Sequence, residues 1–528
     1  MFCLMAAVLV LGSCGKKPKQ WFEKDYLAVQ MSKGDSWSII DKDGKEVVVE
    51  EYPADAQISA VNDGVFWVKQ GDTYHLYSID SPKKPVTDEE FAHATDFQVG
   101  VAVVANPNQQ IRIIDTKGRT VATLPKSIKR CRKFEQWGYA RIKNTDNKEG
   151  IIDTKGNIVL KPEYEAADVA EGMMLTLKDK EEHKIQMLDM NGKTQGSIDS
   201  EKHPIHVISG GLVIARNSDA DDAHIAAFDK AGKKVFEVKK ADGRGSTDFF
   251  DGYLMFTNAD GKSGIADKDG EILIRPKYER MSIIGGGRFF AKKGDKWGVV
   301  NEKDETVIDF DYDDWYFVLG DNYIMKDGSS YAIVGKDGKE IDSFHSVSAW
   351  AGEVYVDYVD IEGIANSIIK VIEDSEKGKT AAQWAKELSL DIDNFHYKSY
   401  IETKTEFDDK VTFSQTTWYS GSVAEEKTHQ EQVNDGWFTY DRTVSDGWHW
   451  NTGAPTEVSG TIKINDSSIS RKDLYNQLAG SLADGRTKLA EGTFTKNIKL
   501  GGKTVECRTS LTNNDGYDYI GLEILFRE

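Results

Sequence analysis

Few side chains able to perform covalent or acid–base chemistry occur at spacings that would let them act together. The chain has four cysteines, Cys3, Cys14, Cys131 and Cys507, and its ten histidines are scattered. Cys131 and Cys507 lack ligands at metal-binding spacing, so we predict no zinc site and treat each as a small apolar residue, with a disulfide between them as the alternative. No nucleophile elbow, Walker loop, dinucleotide fingerprint or His-Glu-Xaa-Xaa-His motif occurs. The residues therefore predict neither an enzyme nor a bound cofactor.

Aromatic residues concentrate near the C-terminus, where they could bind a sugar. Residues 427–450 alternate polar and apolar side chains as strands do, and two Asp-Gly-Trp turns occur there. Exposed rings on a sheet can stack on sugars, and neighbouring Asp and Asn can bind hydroxyls. The candidate ligand-binding residues are Trp437, Tyr440, Trp448 and Trp450. The alternative is that these rings form cross-strand pairs that hold a small sheet together or dock it on the rest of the chain.

Acidic residues are abundant, but they do not form a recognisable metal site. Residues 41–44 and 267–270 resemble the start of a calcium loop, yet the twelfth position of each stretch is tyrosine instead of a bidentate glutamate. We therefore predict hairpin turns at both places and a solvated loop at residues 218–222. His203 and His206 are also expected in a surface loop.

Composition restricts the class of partner. The formal charge of −20 argues against a nucleic acid, whose phosphates require clustered Lys and Arg. Hydrophobic residues make up 39% of the chain, enough to build folded cores.

The first twenty residues predict a lipid anchor. A short apolar run, Leu4 to Leu11, is followed by Gly12-Ser13-Cys14, which resembles the lipobox of bacterial lipoproteins. The resemblance implies cleavage before Cys14 and a diacylglycerol on its sulfur, with residues 1–14 as signal peptide and lipobox and residues 15–20 as tether. Because Gly15 is not the Asp that retains enteric lipoproteins at the inner membrane, the resemblance favours the outer membrane of a Gram-negative bacterium. A buried N-terminal strand or helix is the alternative.

Residues 21–370 contain a sequence repeat, and the repeated units must position any binding surface in this region. Hairpin-turn residues recur every 31 to 40 positions, at Asp41, Asp80, Asp115, Asp153, Asp189, Asp229, Asp267, Asn301, Gly335 and Asn366. Asp opening such a turn and Gly closing it favour a type I turn with a bulge. A second series, a Gly before an apolar run, keeps step with the first, for example at Gly100 and Gly252.

These two series predict a mainly β fold: a repeat array of about ten three-stranded units followed by a small α+β domain. The units must stack on one another to build a core, either closed into a β-propeller or as an open β-solenoid. Ten units exceed the four to eight blades of common propellers, so some units could be half-blades; we favour the propeller-like arrangement. The units resemble the WG-repeat family, best at Lys296-Trp297-Gly298-Val299-Val300 and through the exit motifs Pro162-Glu163-Tyr164 and Pro276-Lys277-Tyr278. That family is not tied to one activity.

The remaining chain predicts a connector at 371–390 and an α+β domain at 391–528. Thr380 to Gln383 form a capping box that begins a short helix, and Ser470 begins another whose Leu474, Leu478 and Leu482 share one face. Strands are expected at 493–500, 504–512 and 519–526.

We therefore expect a non-enzymatic cell-envelope lipoprotein, held on the membrane through Cys14, that binds or scaffolds a protein or peptide through its repeat surface. The alternative is a glycan-binding or glycan-processing lipoprotein that uses the C-terminal aromatics. The sequence leaves the ligand and the membrane face open.

Overall fold

A computed structural model describes residues 19–202, 205–217, 224–239, 248–407, 409–434, 438–466, 469–500, 502–513 and 519–527. It divides into two compact units, Met1–Tyr358 and Val359–Glu528. Cys14, His203, the acidic run 218–222 and Trp437 lie outside the described residues.

In the part of the first unit that the structure describes, 38 strands form nine sheets. Those before the fifth sheet are β1 (Glu23–Lys24), β2 (Tyr26–Gln30), β3 (Trp37–Asp41), β4 (Glu46–Tyr52), β5 (Gln57–Ile58), β6 (Val65–Gln70), β7 (Thr73–Ser78), β8 (Ser81–Pro85), β9 (His93–Ala94), β10 (Val101–Ala105), β11 (Arg112–Asp115), β12 (Thr120–Thr123), β13 (Ile128–Arg132), β14 (Tyr139–Asn144), β15 (Glu149–Asp153) and β16 (Ile158–Tyr164). The later ones are β17 (Ala166–Ala170), β18 (Met173–Leu177), β19 (Lys184–Asp189), β20 (Thr194–Asp199), β21 (Ile205–Ser209), β22 (Leu212–Asn217), β23 (His224–Phe228), β24 (Lys234–Lys239), β25 (Asp248–Phe250), β26 (Tyr253–Thr257), β27 (Ser263–Asp267), β28 (Ile272–Tyr278), β29 (Arg280–Gly285), β30 (Arg288–Lys293), β31 (Lys296–Asn301), β32 (Thr306–Tyr312), β33 (Asp314–Leu319), β34 (Asn322–Asp327), β35 (Ser330–Val334), β36 (Glu340–Phe344), β37 (Ser346–Val347) and β38 (Tyr355–Asp357).

These sheets are the blades of a β-propeller, which confirms the favoured arrangement over the open solenoid. Each has four antiparallel strands that follow one another in the chain, except that blade 1 combines β2, β3 and β4 with β37, which follows blade 9 in the chain. The last part of the array therefore completes the first blade and closes the ring. In addition, β38 adds a fifth strand to blade 4, and β1 adds a fifth, parallel strand to blade 9. The described residues hold nine blades, seven with four strands and two with five, where the repeat predicts about ten units of three strands.

The fourth strand, which the three-stranded prediction lacks, comes just before the Gly of the repeat. In blade 5, β17 and β18 are joined by Glu171 and Gly172, both with positive φ (51° and 76°). Two consecutive residues of this kind make the type I′ turn that best joins paired strands. Gly172, like Gly100 and Gly252, therefore lies within a hairpin instead of marking the start of a unit, and the strand before it belongs to the same blade.

The predicted hairpin turns are confirmed at most positions. At Asp153 the side-chain Oδ1 accepts the backbone N–H groups of Lys155 and Asn157, both at 2.9 Å, and Gly156 closes the turn at φ 81°. The same side-chain bonds recur at Asp41, Asp115, Asp189, Asp229, Asp267 and Asn301.

Two turn assignments are wrong. Asp80 lies inside a tighter connection between β7 and β8 and does not open it. Asn366 is in a helix, because the isoleucines around it recur at helical spacing and are buried. His206 also differs from expectation: it is half-buried in β21.

Apolar runs in the array are buried on both faces because each blade packs between two others. All five residues of β10 are buried. Val103 packs with Ile142 of blade 4, whereas Val104 packs with Trp67 of blade 2. This two-sided burial explains why the strands read as continuous apolar stretches and do not alternate with polar residues.

The second unit begins earlier than the predicted domain boundary at 370. Its elements are α1 (Ile361–Ser375), α2 (Ala381–Leu388), β39 (Tyr400–Phe407), β40 (Val411–Tyr419), β41 (Ala424–Asn434), β42 (Thr439–Trp450), β43 (Pro455–Ile464), α3 (Arg471–Ala483), β44 (Thr487–Ala490), β45 (Thr493–Leu500), β46 (Lys503–Asn513) and β47 (Tyr519–Arg527). Seven strands form one sheet in the order β39-β40-β43-β47-β46-β45-β44. α1 and α3 cover one face of it, where Ile368, Leu478 and Phe413 share a core.

The predicted caps in this unit are present. Thr380 and Gln383 form a reciprocal capping box at the start of α2, and the Ser470 hydroxyl accepts the Asp473 N–H at the start of α3. α2 was expected as a connector, yet its Trp384 packs in a cluster with Tyr419 of the second unit. Among the described residues, no helix is both long and apolar enough to cross a bilayer.

Candidate functional site

Two chain segments cross the inner strands of the propeller. The first, residues 19–24, is called here the leading segment, and its end pairs in parallel with β33 of blade 9. The second, residues 345–358, is called the closing segment. It pairs with β2 of blade 1 at one end and, through β38, with β13 of blade 4 at the other. The two segments therefore border the axis of the ring.

Polar side chains fix the closing segment between those ends. The Gly352 N–H donates to the Asp96 carboxylate at 2.8 Å. Glu353 lies 2.9 Å from the His93 imidazole and accepts the Tyr74 hydroxyl at 3.1 Å. The segment is thus attached blade by blade, and it forms part of the cavity wall described next.

A cavity of about 930 Å³ lies between these segments and the inner strands of six blades. Its lining includes Gln20, Trp21, Lys24, Ser59, Asp96, Asp248, Glu279, Arg280, Trp297, Asp314, Trp315, Ser348 and Trp350. A cavity of this size and of mixed polar and apolar lining can hold several side chains of a ligand.

One wall of this cavity is aromatic. Trp315 stacks on Phe290 with ring centroids 4.1 Å apart, and Trp297 meets it edge-on at 6.2 Å. Trp21 of the leading segment lies 6.4 Å from Trp315 but is 70% exposed. A tryptophan so exposed, beside half-buried Trp315, is available to contact an incoming apolar group.

The cavity also holds charged groups in a partly dehydrated setting. Burial raises the pKa of Asp96, although Gly352, Lys24 and Lys133 act in the opposite direction. Burial likewise raises the pKa of Asp248, whose carboxylate accepts the Gln20 amide at 3.0 Å. Burial lowers the pKa of the Lys24 ammonium. Partly buried carboxylates of this kind attract cationic ligand groups strongly because water screens them little.

Side chains suited to metal or thiol chemistry are not grouped in the part of the chain that the structure describes. Within the described residues, no group of three or more His, Cys, Asp or Glu side chains could hold a metal ion. The described cysteines, Cys131 and Cys507, are free and buried. Burial raises the pKa of the Cys507 thiol to about 12, so it is a poor nucleophile.

Three of the four predicted aromatic ligands are described, and they do not form one platform. Tyr440 lies eight residues from Trp448 along β42, about 27 Å in an extended strand. Trp448 contacts His396 with centroids 4.5 Å apart, whereas Trp450 packs on Phe395 in a cluster of buried residues. Trp448 and Trp450 thus contact His396 and Phe395 of the same unit, and a sugar-binding role for these rings stays a prediction.

A second cavity, of about 720 Å³, lies on the sheet of the second unit. Its lining is largely Ser and Thr, such as Ser414 and Thr461. An antiparallel sheet normally carries polar residues on the face that helices leave open, so we assign no site there.

The sequence does not point to the axial cavity. Trp21, Asp96, Asp248 and Trp350 come from separate blades and segments, and none belongs to the repeated motif. The available signal is that Trp21 and Trp350 fall where the repeat pattern is absent, at either end of the array.

Comparison with known proteins supports the repeat type. A family described as WG containing repeat matches residues 150–179 and 264–297. BamB from Moraxella catarrhalis is similar in structure, with 15% identity over 54% of this chain and 94% of its own, at a TM-score of 0.31. KlHsv2 with loop 6CD replaced by a Gly-Ser linker is similar with 12% identity over 46% of this chain and 92% of its own, also at 0.31. No curated protein matches the chain. Residues 150–179 and 264–297 are thus WG-containing repeats, within a nine-bladed β-propeller.

Proposed function

We propose that the chain is a non-enzymatic binding module that captures an extended, cationic and partly apolar segment of another protein in its axial cavity. The observation that carries this proposal is Trp21, a 70% exposed ring at the mouth of a cavity that also contains half-buried Asp96 and Asp248. Extended segments can bury alternate apolar side chains while their cationic groups meet the carboxylates.

The test uses panning of a random dodecapeptide display library against the full chain. We expect enrichment of peptides that combine Arg or Lys with aromatic residues, and recovery of bound peptides intact. Substituting Trp21→Ala should weaken the best peptide by about thirtyfold, since an aromatic hot spot is worth about 2 kcal/mol or more. Trp418→Ala is the matched control, because Trp418 is 37% exposed but lies in the second unit. Equal affinities for both variants would refute the cavity as the site.

The proposal includes a lipid anchor at Cys14 in the outer membrane of a Gram-negative bacterium. Support comes from the apolar run ending at Leu11 and the Gly12-Ser13-Cys14 that follows it. Metabolic labelling with an alkyne fatty acid should mark the chain in membrane fractions. Cys14→Ser should abolish the label and release the chain, whereas Cys3→Ser should do neither. A labelled Cys14→Ser variant would disprove the anchor.

A further inference from the structure

The second unit carries a ribbon of two long strands with exposed edges. β41 runs for 11 residues and, among the described residues, pairs only with β42. Its side chains from Glu425 to Gln432 are all exposed. A two-stranded ribbon in water is marginally stable, and a free edge of this length is a template for another strand.

The sequence of β41 is complementary to itself. Ala424 and Asn434 bound the strand, so His429 is its midpoint. If two copies pair antiparallel over their full length about a twofold axis at His429, Lys427 of each copy lies opposite Glu431 of the other. Two ion pairs form on one face, and Thr428 lies opposite Gln430 on the other face.

Other registers of the two β41 strands do not place Lys427 opposite Glu431. A two-residue shift toward the ribbon tip places Lys427 opposite Val433. A two-residue shift toward the base places Lys427 opposite His429, and Glu425 opposite Glu431, which is repulsive. Both shifts also shorten the overlap, so the charges and the strand length select the same register.

The charges of the ribbon favour this pairing over random contact. Glu431 already accepts the Arg442 guanidinium across the ribbon at 2.7 Å. Within the described residues, Lys427 has no ion-pair partner of its own. A second copy would supply that partner and extend the pair Arg442–Glu431 into a three-residue network.

We propose that the chain self-associates through the edge of β41, so that two ribbons make a four-stranded sheet with twofold symmetry centred on His429. The occupant of the free edge is a second copy of this chain. The pairing is independent of the axial cavity, and it would bring two such cavities into one particle.

Charge exchange tests the register. In sedimentation velocity of the full chain at low salt, about 50 mM, we expect a concentration-dependent dimer. Lys427→Glu or Glu431→Lys alone should raise the dimer dissociation constant by about tenfold, because each puts like charges opposite one another. The double variant should return it to within about threefold of the original. Lys404→Glu, an equal charge change at an exposed residue of β39, should have no effect.

Disulfide trapping gives an independent measurement. In a background with Cys3 and Cys14 replaced by Ser, His429→Cys should form a covalent dimer under mild oxidation, since Cys131 and Cys507 are buried. Glu425→Cys and Val433→Cys should each fail alone but cross-link when mixed. Circular dichroism would establish that each variant is folded.

Three results would overturn the proposal. The first is a monomer at every protein concentration up to about 200 µM, far above the dissociation constant of a specific dimer. The second is a double charge variant no better than either single one. The third is a Glu425→Cys chain that cross-links to itself as fast as His429→Cys does.

Discussion

Gly150, Gly264 and Gly298 are the glycines of the WG motif, and steric crowding explains them without any positive φ. A Cβ on Gly150 would lie 2.5 Å from the Leu160 carbonyl oxygen and 2.7 Å from the Pro162 nitrogen. The register of the two strands shifts at this point, so the backbone of the next strand bulges over the glycine. The motif Gly and the Pro-Xaa-Tyr exit are therefore two halves of one contact.

Substituting Gly150→Ala should destabilise blade 4. We expect a loss of about 2–4 kcal/mol, because the backbone that crowds the site cannot move aside as a side chain could. Hydrogen exchange of β15 and β16 measures the effect locally. Gly480→Ala is the control: nothing lies within 4 Å of its added Cβ, and as a helical position in α3 it should gain about 0.5–1 kcal/mol. Unchanged exchange in the Gly150→Ala blade would contradict the crowding argument.

Glu376 is the most deeply buried charge in the helical face of the second unit, at 1% exposure. Its carboxylate accepts the Arg486 guanidinium at 3.1 Å and the Thr509 hydroxyl at 2.5 Å, and it also pairs with Lys496. These bonds attach the C-terminal end of α1 to the turn that follows α3 and to the sheet.

Glu376→Ala should cost about 3–5 kcal/mol of unfolding free energy, since it leaves the buried Arg486 without its principal partner. Urea denaturation of the full chain, followed by exchange in α1 and α3, would measure it. Glu373 offers a matched control, because it lies 3.6 Å from the same guanidinium but its side chain is 49% exposed. We expect Glu373→Ala to cost less than about 1 kcal/mol. Similar losses for the two variants would show that burial does not decide the effect.

Among elements, the closing segment differs from the blades because little backbone pairing holds it. β38 is only three residues long, and an ion pair adds to its backbone pairing with β13. Arg130 donates two hydrogen bonds to the Asp357 carboxylate, at 2.7 and 2.8 Å. Its guanidinium also lies 3.7 Å from the centre of the Tyr355 ring. The Asp357 side chain is only 5% exposed. We therefore expect the ion pair to contribute much of the attachment of β38, beside the backbone bonds of the strand pair.

Arg130→Ala should release β38 from blade 4. The buried Asp357 carboxylate would lose both hydrogen bonds, which should cost about 2–4 kcal/mol and speed hydrogen exchange at residues 355–357. Arg119→Ala removes another ion pair, in which two guanidinium nitrogens donate to one oxygen of Asp115, but the Arg119 side chain is 71% exposed, so a loss of less than about 1 kcal/mol is expected. Slow exchange retained at 355–357 in Arg130→Ala would disprove this role.

Features formed by residues close together in the sequence could be predicted, and features formed by residues far apart could not. The turn at Asp153 depends on five consecutive residues, and β45 depends on its own alternation, so both were predictable. Asp251-Gly252 is a typical two-residue hairpin turn, and both residues have positive φ. It indicates a strand before the Gly, which the prediction of three-stranded units leaves out. The axial cavity could not be predicted, because Trp21 and Trp350 are far apart in sequence. Only the closed ring of nine blades brings both side chains to the cavity wall.

Two strand exchanges close the propeller as a whole: β1, which precedes blade 1, pairs with β33 of blade 9, and β37, which follows blade 9, pairs with β2 of blade 1. Blades 1 and 9 also share a hydrophobic core. Blade 1 receives its first strand from β37, and three bonds hold that region: His345 N–H to Gln30 at 2.9 Å, Ser348 N–H to Ala28 at 2.8 Å, and Ser348 Oγ to Ile58 at 2.6 Å. In a ring, each blade is covered on both sides. An opened ring leaves blades 1 and 9 each with one apolar face exposed.

Ser348→Pro should weaken the β37 part of this closure, because proline has no N–H to donate to the Ala28 carbonyl. We expect exchange to accelerate in blades 1 and 9 first, with the middle blades protected, and the single thermal transition of the array to broaden as cooperativity falls. Ser348→Ala keeps the N–H and loses only the hydroxyl bond, so it should retain one sharp transition. If Ser348→Pro accelerated exchange evenly in all nine blades, the array would be one cooperative body whose stability does not depend on this seam.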